Sequence, residues 1–228
     1  MIPGEKKATY RILSLHGIGT NSEILELQTS PLRYQLGPEY EFTFVDGAHP
    51  WPAAAGVESA YGDALARNCF SYYDGTASSA VDAVRDLASY ICENGPYDCV
   101  AGFSLGASMI ATLLFCQDPD PELQEAKSMI KSVVFLCGIL PQRWESLERG
   151  EMEEIRPGDV PPHEILSIRA VHAWSPQDMQ YAKQGEMLAG LFAGPWSLEL
   201  THSAGHSVPR ETSEVLALAE AVKRMVAE

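Results

Sequence analysis

The chain has 228 residues, 46% of them hydrophobic and 21% charged, which suits one well-cored globular unit and is short for two. Its formal net charge of −15 argues against nucleic acid and anionic membrane surfaces as partners, because both need clustered Lys and Arg. Five scattered cysteines, Cys69, Cys92, Cys99, Cys116 and Cys137, form no CxxC pair and read as reduced, packed thiols. The opening "MIPGEKKATY" lacks an apolar secretory core, and no apolar run approaches the ~18 residues that span a bilayer. The expectation is a cytoplasmic protein with residues 1–9 flexible ahead of the fold.

Strand and helix patterns alternate along the chain. "YRILSLHG" (10–17) and "YEFTFVDG" (40–47) read as strands ending in glycine turns. "TASSAVDAVRDLASYICENG" (76–95) is a helix with a polar N-terminal cap and an "NG" stop. "YDCVAGFS" (97–104) predicts a third strand that runs directly into a buried helix over 105–117. A fourth strand is expected in 131–139 and a fifth within 164–174, with a helix across 179–193. A sixth strand over 196–203 and an amphipathic helix over 210–227 complete the series. This alternation implies right-handed crossovers and a mostly parallel, doubly wound α/β sheet of about six strands in one domain. Residues 48–75 and 139–163 break the pattern with prolines, aromatics and acidic residues. Both follow strand C-termini, the edge where ligands bind in open α/β sheets, so they read as lid-like insertions or pocket walls.

The chemistry starts at "GFSLG". G-x-S-x-G is a weak signal alone, but here it falls where a strand gives way to a helix, as a nucleophile elbow requires. Glycines at 102 and 106 remove side chains that would crowd the turn. The helix behind aims N–H groups at the same spot, which suits a developing oxyanion. A serine hydroxyl needs a neighbouring base, and in this fold class the order is Ser, then Asp or Glu, then His. Of six histidines, His202 ends the sixth strand, while His206 sits in the "SAGHSVP" loop beyond it. Loop placement lets an imidazole reach over the elbow, so His206 is read as the base and His202 as structural. The orienting acid is expected after the fifth strand, where "WSPQDMQY" places Asp178; a helix N-cap is the other reading of that aspartate. Asp46 precedes the serine and is the weaker candidate.

The oxyanion site needs two backbone donors. One is the N–H of Leu105, and the other is assigned to Ile18 in "LHGIGTN", with His16 buttressing that loop. Trp51, Phe70, Tyr72, Tyr73 and Trp174 are candidate walls for a hydrophobic acyl group, and core packing is the alternative for each. There is no HExxH, no GxxxxGK[ST] and no GxGxxG after the first strand, so no metal or cofactor is expected.

"LHGIGTNSEILELQTSPLRYQLGPEYEFTFVDGAHP", "GPYDCVAGFSLGASMIATLL" and "SAGHSVP" together resemble the serine hydrolases typified by the yeast FSH proteins, within the α/β-hydrolase superfamily. The resemblance runs in order from about residue 10 to about residue 210. It implies a compact α/β-hydrolase core and a triad of Ser104, Asp178 and His206. Cys99 and Leu105 stand where the family often has Gly and Gln. The insertion with "CFSYYDG" is similar to a fungal branch whose members act as thioesterases in polyketide and other secondary metabolism. The implied substrate is a small or carrier-bound acyl group, including one on a polyketide synthase acyl carrier domain. A general carboxylesterase and a catalytically idle binding protein are the other readings.

Overall fold

The computed structural model describes residues 9–160, 166, 168–192 and 196–227. Residues 1–8, 161–163 of the second insertion, and 164, 165 and 167 of the segment expected to hold the fifth strand lie outside these. In chain order the elements begin β1 (Tyr10–Leu15), α1 (Ser22–Gln28), α2 (Ser30–Leu36), β2 (Tyr40–Val45) and β3 (His49–Pro50). They continue α3 (Val57–Tyr61), α4 (Asp63–Ala66), β4 (Phe70–Ser71), α5 (Ala77–Asn94), β5 (Cys99–Phe103), α6 (Leu105–Phe115) and α7 (Pro121–Ser128). The remainder is β6 (Ser132–Leu136), α8 (Trp144–Glu148), β7 (Arg169–Trp174), α9 (Gln184–Ala189), β8 (Ser197–Thr201) and α10 (Thr212–Ala227).

Six strands form one parallel sheet in the order β2-β1-β5-β6-β7-β8, and β3 and β4 make a separate two-stranded antiparallel ribbon. These are the six strands expected from the sequence. The chain moves outward from β1 to β2 and then returns to β5 on the other side of β1. That makes the β1–β5 crevice a topological switch point, where open α/β sheets take their ligands. The loops that leave β1 and β5 carry Ile18 and Ser104.

Both sheet faces are covered, which explains the unbroken apolar runs of β5 and β6. On one face α10 lays down Val215, Leu218, Ala219, Val222 and Met225, a helical stripe at intervals of three and four that packs with α1 and α2. Burying each of the larger side chains stabilises the fold by roughly 1.5–3 kcal/mol. On the other face α5 and α6 dominate. Every residue of α6 is buried, as its all-round apolar sequence requires. Its two polar interior residues are satisfied by the loop after β6. Ser108 Oγ donates to the Leu140 carbonyl at 2.8 Å, and Thr112 Oγ1 accepts from Gln142 N–H at 3.0 Å.

Two expectations need correction. The helix read across 179–193 is only Gln184–Ala189. Lys183 adopts a left-handed backbone with φ 65°, which interrupts any helix running through 179–193 and makes Gln184 the first helical residue. The stretch between β1 and β2, for which no helix was expected, folds as α1 and α2. Asn21 caps α1 by accepting from Ile24 N–H at 2.8 Å, and Pro31 stands in the first turn of α2. Among the described residues no helix is long and apolar enough to cross a membrane.

Candidate active site

Ser104 links β5 to α6 at φ 53° and ψ −113°, a left-handed backbone that only surrounding structure can hold for a residue with a side chain. The two glycines of the motif explain how the turn closes. A Cβ at Gly102 would stand 2.4 Å from Ala107 N, and one at Gly106 would stand 2.4 Å from the Leu15 carbonyl oxygen. Strand, turn and helix thus meet backbone to backbone. The Ser104 carbonyl accepts from Ala107 N–H at 3.1 Å and Ser108 N–H at 3.2 Å, starting the helix.

The turn presents Ser104 Oγ to His206, whose Nε2 lies 2.9 Å away. On the other side of the ring, His206 Nδ1 is 2.6 Å from Asp178 Oδ2. The structure therefore brings Ser104, His206 and Asp178 into one hydrogen-bonded chain across residues 102 apart in sequence. A carboxylate only accepts, so the Nδ1 proton is directed to Asp178 and the Nε2 lone pair faces the Ser104 hydroxyl. Through its other oxygen Asp178 caps the turn that follows, where no helix begins: Oδ1 accepts from Gln180 N–H at 3.0 Å and Tyr181 N–H at 2.9 Å. Ser104 and Asp178 are buried, so little water competes for these bonds. The Phe103 and Tyr181 rings flank the imidazole, at centroid distances of 5.3 Å and 4.7 Å.

The loop after β1 lies against the serine. A Cβ at Gly17 would meet the Phe103 ring at 2.8 Å and Ser104 Cβ at 3.2 Å, so only glycine lets this backbone in. The orientation of the next peptide is set by His16. Its Nε2 accepts from Gly47 N–H at 3.0 Å, which places the ring proton on Nδ1, and Nδ1 donates to the Gly17 carbonyl at 2.7 Å. Thr20 Oγ1 donates to the same carbonyl at 2.6 Å. In a trans peptide the N–H opposes the C=O, so these two donors fix the direction of the Ile18 N–H. Burial lowers the His16 pKa and keeps the ring neutral, as its accepting nitrogen demands.

The first insertion straps this loop. Gly19 N–H donates to the Phe70 carbonyl at 2.9 Å, Phe70 N–H to Thr20 O at 2.8 Å, and Ala54 N–H to Gly19 O at 2.8 Å. Of the five aromatic candidates, Trp51 and Phe70 are half-buried parts of this strap, and Tyr72 is buried with its ring stacked 4.9 Å from His16. Tyr73 is half-buried and packs against the apolar core, and burial raises its pKa. Trp174 ends β7 and donates from Nε1 to Glu199 Oε2 at 3.2 Å.

Asp46 is occupied elsewhere, accepting from Ser22 N–H at 2.7 Å. His202 is buried and accepts at Nδ1 from Ala204 N–H at 3.2 Å. Cys99 is fully buried, and burial pushes its thiol up to about 12, which rules it out as a nucleophile near neutrality. Among the described residues, Cys137, Asp178 and His206 gather potential metal-ligand atoms within 4.8 Å of one another. That donor set is already committed: Asp178 and His206 bond each other, and burial holds the Cys137 thiol protonated, with its pKa pushed up to about 12. Sequence reasoning missed Cys137, Phe103, Tyr181 and Thr20. Only Phe103 carried a local signal, its adjacency to the serine.

Comparison with known proteins adds an independent line. A family profile described as "Serine hydrolase (FSH1)" matches residues 6–218. The chain is 36% identical over 227 residues to Esterase FPY3 of Fusarium mangiferae, covering 95% of this chain and 96% of the relative. It is 28% identical over 221 residues to Hydrolase phiM of a fungal species, with 94% of each covered. Among solved structures, Zea mays acyl-protein thioesterase 2 superposes with a TM-score of 0.62 at 17% identity, covering 99% of this chain and 97% of that one. The Bacillus cereus carboxylesterase does so with a TM-score of 0.58 at 18% identity, covering 97% and 91%. At such identities the superpositions establish the fold. With the family match spanning nearly its whole length, the chain belongs to the FSH1 family of serine hydrolases and is a hydrolase built on the α/β-hydrolase fold.

Proposed function

We propose that this protein hydrolyses an acyl ester or thioester in two steps through a covalent acyl-enzyme on Ser104. The observation that carries the reading is the 2.9 Å contact between Ser104 Oγ and His206 Nε2, on a ring whose other nitrogen is bonded to Asp178. In the first step Ser104 Oγ attacks the acyl carbonyl while His206 takes its proton. The carbonyl oxygen becomes an oxyanion and is received by the N–H groups of Leu105 and Ile18. The imidazolium then protonates the departing alcohol or thiol. In the second step His206 removes a proton from water, the resulting hydroxide attacks the acyl carbon, and Ser104 is released with its proton restored. Asp178 holds the tautomer throughout.

The thioester reading, with a carrier-bound acyl chain in secondary metabolism as substrate, rests on the sequence resemblance to polyketide-pathway thioesterases. Trp51, Phe70, Tyr72, Tyr73 and Trp174 remain candidates for contact with that chain. A second reading, a carboxylesterase acting on oxygen esters, is favoured by the 36% identical relative, which is named an esterase.

Matched acyl-thioesters and oxygen esters of one chain length decide between the two. A kcat/KM at least tenfold higher for the thioester supports the first reading, and the reverse supports the second. Ser104→Ala should lower turnover of either by ~10⁴ or more. Equal fluorophosphonate labelling of parent and Ser104→Ala would overturn the assignment of the nucleophile.

A further inference from the structure

The geometry points to Cys137 as a positioning residue that holds the loop carrying His206 through a thiol-centred hydrogen-bond relay. This inference rests on the reading of His206 as the base. Cys137 directly follows β6, and its N–H still pairs with the Ala173 carbonyl of β7 at 2.8 Å. Its backbone then turns left-handed, with φ 44°, a conformation disfavoured for any residue with a Cβ. Glycine occurs one residue later, not here. A residue with a side chain at a strained position directs attention to what that side chain contacts.

The surroundings of Sγ identify the need. It lies 3.4 Å from the Gly205 carbonyl and 3.3 Å from the Ser207 carbonyl, the two residues that bracket His206. It also lies 3.4 Å from His202 Nε2. Because His202 Nδ1 accepts the Ala204 N–H, the neutral ring carries its proton on Nε2 and donates it to the sulfur. Burial favours that neutral ring. The thiol is then free to donate its single proton to the two carbonyls in alternation. His202, at the end of β8, and Cys137, at the end of β6, thereby grip the 203–207 loop from beneath. Gly205 itself is left-handed at φ 63°, so the loop is a tight turn whose carbonyl directions must be pinned for the imidazole to stay aligned.

Holding a reacting group to within a fraction of an ångström affects turnover more than substrate binding. Cys137→Ala should therefore lower kcat about tenfold with KM unchanged within twofold. Cys137→Ser, whose hydroxyl can accept from His202 and donate to the carbonyls, should recover at least half of the lost activity on a logarithmic scale. Cys137→Gly separates this role from folding: it relieves the left-handed strain, so its melting temperature should equal or exceed that of Cys137→Ala, while its kcat stays as low. Alanine and glycine variants with kcat within twofold of the parent, or a serine variant no better than alanine, would overturn the relay. His206→Ala, measured alongside, tests the underlying reading. If it retains parental activity, the assignment of the base fails; if it is inactive while Cys137→Ala is unaffected, only the relay fails.

Discussion

Asp178 divides its carboxylate between His206 and its own following turn: Oδ2 stands 2.6 Å from His206 Nδ1, while Oδ1 binds two backbone N–H groups. The oxygen anchored to the following turn fixes the direction of the one that meets the imidazole. Asp178→Asn should preserve the turn, because an amide oxygen can still accept at the Oδ1 position. The amide NH₂ would then face Nδ1 and hold the wrong tautomer, with the proton on Nε2 and no lone pair for Ser104. Turnover of a p-nitrophenyl ester should fall ~10³–10⁴-fold with the melting temperature nearly unchanged. A loss below tenfold would mean that Asp178 is a cap and nothing more.

Tyr181 follows from the same turn. Its backbone N–H binds Asp178 and its ring lies 4.7 Å from that of His206, with Phe103 also beside the imidazole at 5.3 Å. In the proposed mechanism the imidazole becomes a cation during turnover, which a neighbouring aromatic ring stabilises by about 0.5–1 kcal/mol. Tyr181→Leu removes that ring and should lower kcat about two- to fivefold. Tyr181→Phe retains the ring and should leave kcat unchanged. If the leucine and phenylalanine variants behave alike, the ring contributes only packing.

The parts legible in the sequence are those set by local pattern. Apolar runs marked all six sheet strands, the first two ending in glycine turns, and G-x-S-x-G at a strand–helix junction singled out Ser104. Chain order after the later strands pointed to Asp178 and His206, which the structure places in contact with one another and with the serine. What stayed hidden depends on long-range pairing. Cys137 meets its loop across 68 and 70 residues, and no neighbour in sequence signals that. The strap from Phe70 to Gly19 is made of backbone bonds, which composition does not encode. Helices α1 and α2 have seven residues each, too short for a periodic stripe to stand out from the loops around them. The shortened α9 reflects the left-handed backbone of Lys183 at φ 65°, which propensity does not reveal and which delays the helix to Gln184.

Gly106 tests whether the elbow is closed by backbone contact. It lies inside a buried helix, where glycine is ordinarily less favourable than alanine by about 1 kcal/mol. A new methyl there would stand 2.4 Å from the Leu15 carbonyl oxygen and 2.8 Å from that of His16, both backbone atoms of the neighbouring strand and loop. Overpacking should outweigh propensity. Gly106→Ala is expected to destabilise by ~1–3 kcal/mol, a fall of several degrees in melting temperature for a chain of this size. It should also reduce kcat, since the displaced loop carries the Ile18 N–H. A rise in melting temperature would show that β1 and α6 can separate freely.

His172 provides the pH test. It is buried on β7, its ring packs 5.0 Å from Phe135 and 5.1 Å from Phe192, and neither nitrogen has a hydrogen-bond partner among the described residues. Burial alone lowers its pKa to about 3. Unfolding exposes the ring and restores an ordinary value near 6.5. Between those two values the unfolded chain binds a proton that the folded chain refuses, so stability is lost as pH falls below about 6.5. The slope from this one residue approaches about 1.4 kcal/mol per pH unit toward the middle of that range. His172→Leu removes the titrating group and keeps an apolar side chain among the two phenylalanines. Urea unfolding at pH 7, 6, 5 and 4 should show the variant losing less stability than the parent with each step, by about one proton's worth of slope below pH 6. The difference should be smallest at pH 7, where His172 is neutral in both states. Parallel curves for the two proteins from pH 7 to pH 4 would mean that the folded chain protonates His172 as easily as the unfolded one does.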